Sequence, residues 1–342
     1  MGDCLLPSIP SDIAPIHPSP LLRVRGLTVK YSGERRSAPA LHQVDFDIAP
    51  GEVVGILGES GSGKSTLALS ILGLLPPKTS VTGSIDFQGE DLLRIDEARW
   101  KTIRGAKIAM IGQEPGLCLS PVMRVGDQIA EVLRAHRPAE RKLHKLECES
   151  ILREVRFSDV DRIYKAYPHQ LSGGELHRVA IAQALACQPE LVIADEATRS
   201  LDVALQTEVL NVLRQVKQKF GSALIFITHN PALLAGFADR VIAMYAGRVV
   251  EDGSVRNVFR HPLHPYTEGL LRLVRSHRES EAPSPQRLLP VIPGSSADLD
   301  GATGGCVFEP RCGARTAICR DESPEEVMPR PSHRVSCFNH GN

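Results

Sequence analysis

The 342-residue chain has no run approaching the ~18–20 uninterrupted apolar residues that a membrane helix needs. It has no net charge either: Lys+Arg and Asp+Glu both number 40. That balance excludes nucleic-acid binding through bulk electrostatic attraction. Met1 to Pro20 holds five prolines and no lysine or arginine. It lacks the basic and apolar parts of a secretory signal, so residues 1–20 read as a disordered leader and the chain as cytoplasmic. No internal repeat is present. Eight cysteines occur without one Cys-x-x-Cys pair, and the usual zinc-finger spacing is therefore missing.

What is present begins with Gly58-Glu59-Ser60-Gly61-Ser62-Gly63-Lys64-Ser65, which fits G-x-x-x-x-G-K-[ST] at every fixed position. The apolar run Glu52–Leu57 precedes it and a helical pattern, Thr66–Leu72, follows. That strand–loop–helix context turns a Gly-rich turn into a phosphate site. The glycines let backbone approach the phosphates because no Cβ intervenes. Several N–H groups then converge at a helix N-terminus, where anions are stabilised. Lys64 supplies charge to the β- and γ-phosphates, and the Ser65 hydroxyl can ligate Mg²⁺. The chain binds a nucleoside triphosphate.

The length calls for more than one unit, because single cores rarely exceed about 250–300 residues. Residues 21–30 and 41–49 alternate as half-buried strands do. Val53–Leu57, Ile108–Ile111, Leu191–Ala194 and Ala223–Thr228 are apolar on both sides, as strands of a doubly covered sheet are. Helices are expected at 174–187 and 203–220, so the core is α/β with a largely parallel sheet. A helical, charged insert is expected between about Val125 and Tyr167. Two short strands, 241–245 and 248–251, precede a helix at 266–274. The Ser-, Pro- and Gly-rich stretch 276–305 reads as a linker. Four cysteines then crowd the last 37 residues.

Leu191-Val192-Ile193-Ala194-Asp195-Glu196 is an apolar strand ending in two carboxylates. Asp195 suits Mg²⁺, and Glu196 can orient and deprotonate an attacking water. Leu171-Ser172-Gly173-Gly174-Glu175 makes a second phosphate-approaching turn at a helix start. A single small site has no need of two such turns; two facing chains do.

The ordered set of Tyr31, residues 58–65, Gln113, Ser172-Gly173-Gly174-Glu175, Asp195-Glu196, Ser200-Leu201-Asp202 and His229 resembles an ATP-binding-cassette (ABC) ATPase over residues 21–255. The resemblance implies an ABC-type P-loop NTPase core, with an antiparallel β subdomain and a helical subdomain near 115–175. It implies a head-to-tail dimer that sandwiches two ATPs. Gly58, Glu59, Ser60, Gly61, Ser62, Gly63, Lys64, Ser65 and Thr66 would surround one ATP, with Tyr31 on adenine. Ser65, Gln113 and Asp195 would hold Mg²⁺, with Gln113 also sensing water. Glu196 would be the catalytic carboxylate and His229 the γ-phosphate switch. Ser172, Gly173, Gly174 and Glu175 would face the opposing ATP, and Ser200, Leu201 and Asp202 would form the dimer loop. Three departures stand out: Glu175 where glutamine is commoner, Arg199 where the usual residue is small or polar, and Asn230 where aspartate is usual.

Gln113-Glu114-Pro115 with Leu119-Ser120-Pro121-Val122-Met123, and His261-Pro262-Leu263-His264-Pro265-Tyr266-Thr267, are similar to segments of the oligopeptide/dipeptide/nickel importers. Cys306, Cys312, Cys319 and Cys337 look like that group's cysteine tail. The layout expected is a cassette over 21–255, a helix and linker over 256–304, and a small Cys-rich module over 305–342. Spacing alone leaves an iron–sulfur cluster, zinc and unligated thiols all open; the resemblance implies [4Fe–4S]. It also implies ATP hydrolysis coupled to di- or oligopeptide import at the cytoplasmic face of the inner membrane. The partners would be two permeases, an extracytoplasmic binding protein and a second ATPase, a heterodimer before a homodimer. Nickel chelates, haem or other small solutes suit the same motifs. A cassette acting on ribosomes or DNA would commonly carry two fused cassettes or long coiled coils, and neither is present here.

Overall fold

Leu22–Lys30 (β1) buries Leu22, Val24, Leu27 and Val29 and exposes Arg23, Arg25 and Lys30. The odd step from 24 to 27 works because the register shifts at Gly26, whose φ is 55°; a bulge keeps both apolar pairs on one face. Leu41–Ile48 (β2) pairs with it antiparallel. The computed structural model describes residues 19–32, 38–137, 141–199, 201–278, 292, 294 and 304–340. Most of the expected leader and linker, and Ser200, lie outside the described residues.

Val53–Leu57 (β3) is buried throughout and runs through the phosphate loop into Lys64–Ile71 (α1). Ser80–Phe87 (β4) and Glu90–Asp91 (β5) complete a four-stranded antiparallel sheet in the order β2-β1-β4-β5. Glu97–Ile103 (α2), N-capped by Asp96 on the Arg99 N–H at 2.8 Å, leads to Ile108–Ile111 (β6). The helical insert follows as Pro115–Cys118 (α3), Val125–His136 (α4), Arg141–Glu154 (α5) and Val160–Lys165 (α6). Gly173–Ala184 (α7) returns the chain to Leu191–Asp195 (β7). Val203–Phe220 (α8) connects to Ala223–Thr228 (β8). A hairpin of Arg240–Tyr245 (β9) and Arg248–Ser254 (β10) comes next, then Val255–Arg260 (α9) and Pro265–Arg278 (α10).

Strands β9, β3, β8, β7 and β6 are parallel neighbours. One face packs Val54, Ile56, Ile225 and Ile227 against the antiparallel sheet and Leu67 and Ile71 of α1. The other packs Val53, Val192, Phe226 and Tyr245 toward the helical insert, α7 and α8. Each fully buried aliphatic contributes about 1.5–3 kcal/mol, so the sheet is clamped from both sides. That covering explains why its strands read as unbroken apolar runs.

The cysteine region is tied to the cassette by strand pairing. After Ile318–Asp321 (α11), Val327–Arg330 (β11) and His333–Val335 (β12) form an antiparallel pair, and β12 docks on β10. The main sheet thereby grows to eight strands. Three- and four-residue strands carry too little periodicity to be read in advance. Among the described residues no helix is long and apolar enough to cross a membrane.

Candidate functional site

The phosphate loop is built by its glycines where backbone has no room. A Cβ on Gly58 would lie 2.4 Å from the Met244 carbonyl oxygen. Gly63 has φ 101°, and a Cβ there would lie 2.8 Å from the Ala40 oxygen. Gly63 caps α1 without any side-chain bond, which leaves the first N–H groups of the helix available to an anion. The Lys64 ammonium is buried and folded back on the loop. It donates to the carbonyls of Gly58 at 2.8 Å and Glu59 at 2.7 Å. Burial lowers its pKa, while the carboxylates of Glu196, Asp195 and Glu59 act the other way. A cation thus faces three carboxylates across a space suited to phosphates.

β7 delivers two of those carboxylates. Asp195 is 3% exposed and bonds the Ser65 hydroxyl. Its Oδ1 is buried with no hydrogen-bond partner among the described residues. Burial raises its pKa above the usual carboxylate range. An orphaned buried oxygen beside a serine hydroxyl fits a hard divalent cation, which takes oxygen ligands. Glu196 sits at φ 46°, held by its N–H donating to the Ile227 oxygen at 3.0 Å. Left-handed backbone at a non-glycine residue is strained, and such strain clusters at functional sites. Its Oε1 is 3.4 Å from His229 Nδ1, and its Oε2 accepts from Arg199 Nη1 at 3.1 Å. The structure therefore brings Lys64, Ser65, Asp195, Glu196 and His229 together.

Arg199, exposed itself, folds back on the buried Glu196 as an i,i+3 ion pair across one turn. The other two departures also find partners. Ser172 caps α7 and Glu175 completes a capping box, accepting from the Ser172 N–H at 2.9 Å and hydroxyl at 3.0 Å. Glu175 also pairs with Arg162, and these bonds, led by the Ser172 N–H, lower its pKa. Asn230 accepts from the Ala232 N–H at 3.0 Å, a cap that asparagine and aspartate make equally well.

Tyr31 hydrogen-bonds Thr66 Oγ1 at 3.1 Å, so its ring stands beside the end of the phosphate loop. Gln113 is exposed just beyond β6, at the same sheet end as Asp195. Asp202 caps α8 on the Leu205 N–H at 2.9 Å, and Leu201 packs on the core. Ser172 and Gly173 are exposed and Gly174 is buried. No described contact joins this second turn to the phosphate loop of its own chain.

Three anchoring residues escape sequence reading, two of them partners of the phosphate loop. Glu251, 1% exposed, accepts from the N–H groups of Leu263 at 2.8 Å and His264 at 3.0 Å and contacts His333 Nε2 at 2.7 Å. It is the anchor of the His261–Thr267 stretch. Complete burial pushes His264 down to about 4. Tyr266 and Arg311 both reach Glu59 of the phosphate loop. Sequence separations of 207 and 252 leave no local signal for either pairing.

Cys306, Cys312, Cys319 and Cys337 lie in one module. Burial raises the first two and pushes Cys337 up to about 11, and each of these thiols is raised further by its cysteine neighbours. Cys319 Sγ is engaged by Thr316 at 3.3 Å and Cys337 Sγ by the Asn339 N–H at 3.4 Å. Among the described residues no three His, Cys, Asp or Glu side chains stand close enough to hold a metal ion. The donor chemistry suits a cluster; the spacing does not. The expected [4Fe–4S] centre is not supported by this arrangement.

The ABC transporter family profile matches residues 41–199, and the profile of the oligopeptide/dipeptide transporter C-terminal region matches residues 250–319. The chain is 43% identical over 320 residues to a probable peptide ABC transporter ATP-binding protein, y4tR, of Sinorhizobium fredii, covering 93% of this chain and 94% of that one. It is 41% identical over 322 residues to the oligopeptide transport ATP-binding protein AppD of Bacillus subtilis, covering 94% and 97%. It is 39% identical over 319 residues to the oligopeptide transport ATP-binding protein OppD of Escherichia coli, covering 93% of each. Among solved structures, the dimeric post-hydrolysis cassette MJ0796 bound to ADP and Pi superposes with a TM-score of 0.61 at 28% identity, covering 69% of this chain and 99% of that one. The cbiO1 cassette of Clostridium perfringens, part of a cbiONQ transporter complex, gives 0.63 at 26% identity, covering 77% and 99%.

Proposed function

This chain belongs to the ABC transporter ATP-binding family and is an ABC-type ATPase, and from that premise we propose that it drives an importer of di- and oligopeptides. The observation that carries the substrate class is the oligopeptide/dipeptide C-terminal region following the cassette within one chain. The names of the peptide-transport relatives agree with it.

In the proposed cycle the N–H groups of residues 61–64 and the Lys64 ammonium bind the triphosphate, with Tyr31 against the base. Ser65, Asp195 and Gln113 would hold Mg²⁺, which neutralises charge on the β- and γ-oxygens when bound. Glu196 accepts the proton of the attacking water, and His229, beside it, donates to the γ-phosphate. Ser172 and Gly173, exposed at the start of α7, complete the site on a second cassette, and Leu201 and Asp202 line the seam. That second cassette is a related but distinct subunit.

The segment Gln113–Val125 presents Leu117 and Val122, 82% and 81% exposed. Both lie in the stretch that resembles the coupling segment of peptide importers, and we place the docking of a permease helix there on that resemblance. Two permeases and an extracytoplasmic binding protein complete the proposed assembly. With the permeases in liposomes, ATP hydrolysis should rise several-fold when peptide-loaded binding protein is added. Hydrolysis that responds only to a nickel chelate or haem overturns the substrate, and hydrolysis indifferent to the permeases overturns the coupling.

A [4Fe–4S] cluster on Cys306, Cys312, Cys319 and Cys337 enters this proposal on the family resemblance alone, because the side-chain arrangement described above does not support it. Anaerobically purified protein should then carry four irons per chain and be brown. Iron-free, colourless protein rejects it.

A further inference from the structure

Glu59 places a carboxylate inside a loop whose task is to receive a polyanion. Like charges at that range disfavour binding, and Glu59 is already close enough to Lys64 to affect its ionisation. The chain answers the problem from 252 residues away. Arg311, at the base of the cysteine module, makes a two-pronged ion pair with it: Nη1 to Oε2 at 2.6 Å and Nη2 to Oε1 at 3.0 Å. Arg311 is 8% exposed. Paired guanidinium and carboxylate planes of this kind are short, directional and strong. Tyr266 fixes the same residue from the backbone side, its hydroxyl accepting the Glu59 N–H at 2.8 Å. Tyr245, Tyr266 and Phe308 pack with ring centroids 4.8–5.5 Å apart beneath the pair. Phe308 and Arg311 belong to the segment bounded by Cys306 and Cys312.

We propose that Arg311 is a positioning residue of the ATP site: it neutralises and orients Glu59, so the C-terminal cysteine module sets the charge and shape of the phosphate loop. This rests only on ATP binding at residues 58–65, not on the transported solute. The Glu59 hydrogen bond holds the guanidinium's pKa above its ordinary value. Arg311 stays charged at any working pH.

The full-length protein is titrated with Mg-ATP at low and high salt, with the Tm measured alongside. Wild-type saturation establishes the ATP site independently of the proposal. Arg311→Met should weaken ATP about tenfold at low salt, and the loss should shrink at high salt as the bare Glu59 charge is screened. Glu59→Gln alone should bind ATP about threefold more tightly. Adding Glu59→Gln to Arg311→Met should return the affinity to the wild-type range. A purely structural clasp gives another pattern: a lower Tm with unchanged affinity, or a loss that Glu59→Gln fails to rescue, and either result overturns the proposal. If Arg311→Met does not fold, Glu59→Gln still decides, because weaker ATP binding in that variant is incompatible with relief of repulsion.

Discussion

Glu196→Gln should cut ATP turnover in the assembled transporter by about 10²–10⁴-fold, the usual worth of a positioned general base, while ATP still binds and the cassettes still close. The substitution conserves shape. An amide oxygen can still accept from Arg199 at the present 3.1 Å, and the strained φ of 46° is a backbone property that glutamine inherits. What it removes is the ability to take a proton from water. The test is single-turnover hydrolysis compared with nucleotide-trapped dimer formation. Wild-type hydrolysis in the variant removes Glu196 from the base role. Loss of ATP binding together with hydrolysis means that the carboxylate serves architecture instead.

Lys64→Met should weaken ATP binding by about one to two orders of magnitude without unfolding the protein. A charge-assisted hydrogen bond is worth about 1.5–3 kcal/mol, and each 1.4 kcal/mol is tenfold in affinity. Losing the ammonium should therefore weaken ATP by about 10- to 100-fold, and more once the loss of shielding is counted. Asp195 and Glu196 also act on this cation, and without it they face the triphosphate with less shielding. The fold should tolerate the change. Lys64 is 5% exposed and its charged form already suffers from burial, so an uncharged chain of similar length relieves desolvation. Equilibrium binding with a fluorescent ATP analogue, read beside the Tm, separates the two effects. Near-wild-type affinity in a folded variant rejects the role given to Lys64.

Much of the nucleotide site is legible in the sequence because its parts are local. The β3–loop–α1 unit, the Asp195–Glu196 strand end and the Ser172 helix cap each follow from a few adjacent residues. What stays hidden is long-range. The Arg311–Glu59 and His333–Glu251 pairs join residues 252 and 82 apart, and nothing in either neighbourhood announces its partner. The docking of β12 on β10 is equally silent, since three residues cannot display an alternation. Arg199 is the instructive case. Its oddity is visible in sequence; its ion pair with Glu196 across the turn after β7 is not. Glu175 is likewise explained by Arg162, whose charge makes a carboxylate acceptable there.

The Glu251 carboxylate, shared by Leu263, His264 and His333, limits how this protein can be recombined with its cousins. A chimera that borrows a foreign tail beyond α10 removes the His333 contact from this buried carboxylate unless the donor brings a matching imidazole. Splice points belong upstream of β9, so that hairpin, tail and anchor travel as one cartridge.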